Sequence, residues 1–97
     1  MHGWFIYMVR RDDGSLYTGI TTDVRRRLIQ HKRGGKYGSK YLRGHTPLKL
    51  VLRRKIGGKG LALKVEIAIK KMPKTGKETI VKNKKYLDRI IRSVVQL

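Results

Sequence analysis

Five residues, Tyr7, Tyr17, Arg27, His31 and Glu66, have types and spacings that suit chemistry on a phosphate. Glu66 is the only carboxylate between Asp23 and Glu78, in a stretch crowded with lysine and arginine. It is either an ion-pair partner for one of those cations or a hard oxygen ligand for a divalent metal that also touches phosphate. Tyr7 and Tyr17 flank a turn. If that turn centres on Asp13, Tyr7 faces Gly19 and Val9 faces Tyr17, which puts both phenols on one sheet face. Gly19 would then leave space opposite Tyr7, suited to a substrate or to a bulge. Taken alone, two strand tyrosines also suit packing at a core edge. Arg27 and His31 are four residues apart and share a helix face, offering a fixed guanidinium fork and a nitrogen that titrates near neutral pH. Taken alone, they read as a solvated arginine and a surface histidine. His2 and His45 lack a second ligand at metal spacing, and serine and aspartate are too sparse for a hydrolase triad.

These residues need elements to position them. Trp4 to Arg11 form a β-favouring apolar run that stops at Asp12-Asp13-Gly14-Ser15, and Leu16 to Thr21 follow at once, which predicts a hairpin. Thr21-Thr22-Asp23 supply capping oxygens for a helix from Val24 that ends at Gly34-Gly35. Residues Lys36 to Pro47 read as a short helix between loops or an irregular connection. Leu48 to Ile56 have strand length and partial alternation. Leu61, Val65, Ile69 and Met72 recur at helical spacing until Pro73. Leu87, Ile90, Ile91, Val94 and Val95 mark a last packing helix, with room for a shorter one before it. The expected fold is α+β, a small three-stranded antiparallel sheet flanked by helices in the order β-β-α-(α)-β-α-α.

The 97 residues hold 25 Lys and Arg against 6 Asp and Glu, a formal charge of +19. A chain of this length builds one small core, so a single domain over residues 1–97 is expected. The absence of cysteine excludes a disulfide scaffold and a thiol nucleophile. No apolar stretch is long enough to span a bilayer, and the first residues do not read as an export signal, so a cytoplasmic, nucleoid-associated location is expected. Such charge density favours a polyphosphate partner bound in a salt-dependent way.

The order Phe5-Ile6-Tyr7, Tyr17-Thr18-Gly19, Thr22-Asp23, Arg27, His31 and Glu66 resembles the GIY-YIG nuclease family. The resemblance runs from about Trp4 to Met72, with residues 76–95 as a helical extension. It implies that Tyr7, Tyr17, Arg27, His31 and Glu66 are catalytic, and that Glu66 holds Mg²⁺ or Mn²⁺. Phe5 and Thr18 depart from the motif and leave the tyrosines and Gly19 intact. Asn83, the single asparagine, lies farther from Glu66 than the late active-site asparagine of many members.

The implied activity is metal-dependent hydrolysis of DNA, structure-dependent or weakly sequence-specific, in repair or recombination, with DNA preferred over RNA. A field of cations around Tyr7 would favour its phenolate and make it the general base, with Tyr17 orienting the water or phosphate. Arg26, Lys40, Tyr41 and Arg43 are the expected nucleic-acid contacts, the ring stacking on bases. Composition alone favours the alternative, a non-catalytic nucleic-acid-binding module for DNA or RNA of the ribosome-associated kind. Acidic lipid surfaces rank lower for want of an exposed aromatic anchor.

Overall fold

The computed structural model describes residues 3–95; His2 lies outside them. Two strands, β1 (Trp4–Arg10) and β2 (Leu16–Thr21), form the hairpin, and β3 (Lys49–Gly57) pairs with the other edge of β1. The sheet is antiparallel in the order β2-β1-β3, so β2 has one free edge. Helix α1 (Val24–Arg33) begins at Asp23, whose carboxylate accepts the Arg26 N–H at 3.0 Å, and ends at Gly34, where φ is 70°. After β3 come α2 (Lys59–Lys70), α3 (Lys74–Lys82) and α4 (Lys84–Val95).

The structure therefore has three helices after the last strand. The final segment is split at Asn83, which is extended and whose side-chain oxygen accepts the Lys85 N–H at 3.0 Å. That bond caps the new helix locally, and it explains why an apolar stripe with one asparagine in front of it yields two helices. The undetermined segment before β3 contains only a 3₁₀ turn, Gly35–Tyr37, followed by turns. Among the described residues, no helix is long and apolar enough to cross a membrane.

Where one small core was expected, strand alternation splits the apolar interior into two clusters, one on each face of the sheet. Ile6, Met8 and Leu16 point to one face, where α2, α3 and α4 cover them with Val65, Ile69, Ile80 and Leu87. Tyr7 and Val9 point to the other, where Val24, Leu42 and Leu48 pack on them. Two ion pairs tie the helical layer to the sheet. Arg10 of β1 grips Glu78 of α3 with two bonds of 2.7 and 2.8 Å, and Arg54 of β3 meets Asp88 of α4 at 2.5 Å.

Candidate active site

The hairpin register aligns Tyr7 with Gly19 and Val9 with Tyr17, so both phenols do lie on the α1 side of the sheet. The space above Gly19 is not open, however. A Cβ on Gly19 would sit 2.5 Å from the Tyr7 hydroxyl and 2.6 Å from its Cζ, so the glycine is there to let the Tyr7 ring lie flat across β2. The two tyrosine rings stand 6.3 Å apart, and each approaches His31, at 6.0 Å from Tyr7 and 5.3 Å from Tyr17 between ring centroids.

His31 is not a surface residue: it is 2% exposed, pointing from α1 into the sheet face. Its Nδ1 accepts the backbone N–H of Ser39 at 3.2 Å, which places the remaining ring proton on Nε2. Nε2 lies 2.7 Å from the Tyr7 hydroxyl, so the imidazole donates to the phenolic oxygen and the phenol keeps its own hydrogen for another partner. Burial, and then the nearby Arg27 charge, push the His31 pKa down to about 4. The ring is neutral at pH 7, contrary to the expectation of a nitrogen titrating near neutrality.

Tyr7 departs from expectation in the same sense. Burial raises its pKa well above the usual phenol value and the neighbouring Tyr17 raises it further, while the Arg27 guanidinium pulls it down without prevailing. The cationic field was expected to favour a phenolate; desolvation outweighs it, and Tyr7 is a protonated phenol in the free protein. Arg27 donates to the Gln30 side chain at 3.1 Å and to the Tyr37 carbonyl at 2.5 Å, with no carboxylate within ion-pair distance among the described residues. Its full positive charge stays available to an anion.

Tyr17 forms the open side of the cluster. It lines a cavity of about 260 Å³ together with Thr18, Tyr41 and Lys70. Tyr41 stacks on it at 5.9 Å, and the Arg11 guanidinium lies 4.2 Å from the centre of the Tyr41 ring while donating to the Tyr41 carbonyl at 2.9 Å. Tyr41 keeps these two contacts while the residue remains 45% exposed. Arg26 is exposed on α1, Lys40 is exposed in the turn after α1, and Arg43 reaches back to the Gly35 carbonyl at 3.3 Å. Among the described residues, none of the three makes a side-chain hydrogen bond to Tyr7, Tyr17 or His31.

The acids differ in how firmly they are held. Asp12 binds His45 at 2.9 Å, Asp13 binds Arg11 and the Ser15 N–H, Asp23 caps α1, and Glu78 and Asp88 hold their arginines. Among the described residues Glu66, on α2, meets only Lys70, at 3.4 Å and without a hydrogen bond, although its side chain is just 16% exposed. Lys70 in turn lies 5.9 Å from the centre of the Tyr17 ring, which brings the Glu66 end of α2 to the same opening. A shielded carboxylate with spare lone pairs fits the habit of Mg²⁺ and Mn²⁺, which take one or two carboxylates and complete their shells with water and phosphate. His31 is excluded as a ligand because both its nitrogens are engaged.

The model of the GIY-YIG catalytic domain family matches residues 3–80. The chain belongs to the GIY-YIG family. It is 40% identical over 94 residues to the UPF0213 protein YhbQ of Salmonella typhimurium, covering 97% of this chain and 92% of that one. With the UPF0213 protein YhbQ of Escherichia coli it shares 47% over 81 residues, covering 84% of this chain and 79% of that one. The solution NMR structure of a UPF0213 protein from Bacillus halodurans superposes with a TM-score of 0.54 at 38% identity, covering 82% of this chain and 83% of that one. GIY-YIG domains are nuclease domains, and the family generally uses a divalent metal.

Two participants escaped the sequence reading. Lys70 carries a readable cue, being four residues after Glu66 on a helix. Arg11 carries none, because its contact with Tyr41 spans 30 residues of chain.

Proposed function

We propose that this protein is an endonuclease that hydrolyses phosphodiester bonds in DNA with the help of a divalent cation, Mg²⁺ or Mn²⁺, held by Glu66. The observation that carries the reading is the convergence of Tyr7, Tyr17 and His31, with Arg27 beside them, on one face of the sheet, with Lys70, the ion-pair partner of Glu66, reaching the Tyr17 ring. The whole chain acts as one catalytic unit in this reading, and repair or recombination is the setting that suits cutting with little sequence preference.

When bound, the cation would neutralise charge on the phosphate and on the leaving oxygen. The chain's own residues do the rest. Arg27, without a carboxylate partner, stabilises charge developing on the non-bridging oxygens. Tyr17, on the open cavity, is the phenol that meets the attacking water. Tyr7 stands behind it as a protonated donor, its oxygen fixed by the Nε2–H of His31, so its hydrogen has one direction in which to act. His31 orients Tyr7, and its neutral state spares the site a charge change over the working pH range.

The test is a titration of Mg²⁺ and Mn²⁺ with wild type and Glu66→Ala on flap, fork, hairpin and duplex DNA and on RNA. Cleavage that needs the cation and vanishes in the variant, with DNA affinity largely kept, supports the reading, since removing an acid does not weaken a cationic surface. Cleavage that survives chelation, or equal cleavage by the variant, overturns it. Binding without cleavage of any substrate would favour the non-catalytic module.

A further inference from the structure

The cavity beside Tyr17 does not end there. A second one, of about 160 Å³, shares Leu16, Tyr41 and Lys77 with it and extends to Lys74, so together they form one groove along the free edge of β2. Leu16 lies on the floor of both, Tyr41 forms one wall, and the other carries Lys70 from α2 and Lys74 and Lys77 from the start of α3. No carboxylate among the described residues lines either part of it. Among the described residues, neither Lys74 nor Lys77 has an acid within 4.0 Å, and the nearby Glu78 is spent on Arg10.

The wall opposite those lysines is fixed. Tyr41 is held between the Tyr17 ring, the Arg11 guanidinium and, through its carbonyl, the Arg11 side chain again. The lysine wall is fixed too, because the Arg10–Glu78 pair anchors α3 to β1. Lys74 and Lys77 are three apart on one helix, which places their Cβ atoms about 5–6 Å from each other on the same side. Two unpaired cations, Lys74 and Lys77, in line with Lys70, which has only its loose contact with Glu66, and facing an aromatic wall suit a linear polyanion that lies lengthwise in the groove. By contrast, the arginine-lined cavity on the outside of α1 contains Asp23, already occupied as a helix cap.

We infer that this groove is a backbone track, in which the strand running out of the reaction centre lays successive phosphates against Lys70, Lys77 and Lys74 along the free edge of β2. The inference rests on the nuclease reading for what sits at the Tyr17 end, while the track itself is a binding site that works without cleavage. It gives the substrate a direction, from Tyr17 toward the start of α3, and it assigns a role in substrate binding to a helix outside the five-residue motif.

The experiment measures binding of a fluorescein-labelled hairpin DNA with a ten-nucleotide tail, in excess chelator, as a function of salt. Lys74→Ala/Lys77→Ala is compared with Lys84→Ala/Lys85→Ala, an equal loss of charge at exposed positions beginning α4, where Lys84 flanks β3 at the opposite edge of the sheet. The slope of log affinity against log salt should fall by about two for the first pair, one unit per lost phosphate contact, and by much less for the second. In the wild type, DNA should shift the amide signals of Leu16 and Lys77. Equal slopes in the two pairs, or unmoved Leu16 and Lys77 amides, would overturn the track. Selective loss of affinity in a protein that cuts nothing would sink the nuclease reading and leave the track standing.

Discussion

Tyr7 and Gly19 face each other across β1 and β2, and the phenol of the first occupies the volume where the second lacks a side chain, 2.5 Å from hydroxyl to the position a Cβ would take. The motif glycine thus serves the motif tyrosine directly. Tyr7 cannot give way easily, since it is 1% exposed and tied to His31 at 2.7 Å.

Gly19→Ala should therefore cost about 1–3 kcal/mol of stability, the usual range for overfilling a packed core. It should also displace the Tyr7 hydroxyl from His31, seen as a changed His31 ring environment by NMR. A variant as stable as wild type with an unchanged His31 spectrum would contradict the role given to the glycine.

His31 predicts a pH window for stability. Its pKa lies near 4 in the folded chain against about 6.5 for an ordinary histidine, so between these values the unfolded chain binds the proton and the folded one does not. Stability should fall as pH is lowered from about 6.5 toward about 4 and then level off as far as this residue is concerned. Urea midpoints across that window check it, with His31→Gln as the control that lacks the slope.

The loose contact between Glu66 and Lys70 makes the lysine a competitor for any cation at the carboxylate. Lys70→Met should tighten Mn²⁺ binding by up to about fivefold, the worth of a half-exposed pair of roughly 0.2–1 kcal/mol. Glu66→Gln should remove the binding. Electron paramagnetic resonance of free Mn²⁺ reads both without any substrate; weaker binding in Lys70→Met would count against the competition.

Arg27→Ala should lower turnover by about 100- to 1,000-fold, as expected when a charge aimed at a developing oxyanion is lost. The salt slope of DNA binding should change by only about one unit. A loss of affinity that accounts for the whole loss of rate would reduce Arg27 to a simple binding residue.

Local patterns carried much of this structure. The Asp12-Asp13-Gly14-Ser15 turn sets the hairpin register, and the register alone puts Tyr7 and Tyr17 on one face. Asp23 starts α1 and Gly34 stops it, and four-residue spacing then turns Arg27 and His31 the same way. Burial was not legible. Nothing near His31 in sequence indicates that Ser39 will bond its Nδ1 or that Leu42 and Leu48 will help close the face around Tyr7, and those contacts make both side chains neutral. The partners of Tyr41, Tyr17 and Arg11, lie far off along the chain and were equally unreadable, whereas the shorter helix for which the sequence left room is present, separated from the last one where Asn83 accepts the Lys85 N–H.

The Arg10–Glu78 grip has a consequence for any attempt to shorten the molecule. The five motif residues end at Glu66, yet Ile80 and Leu87 close the core beneath the sheet, and Glu78 receives the arginine at the end of β1. A fragment cut after Met72 would keep every motif residue while baring that apolar face and leaving Arg10 without its acid. The smallest transplantable unit is thus set by architecture: trimming to the motif would uncover the sheet face that Ile80 and Leu87 close, whereas keeping α3 and α4 would retain the scaffold.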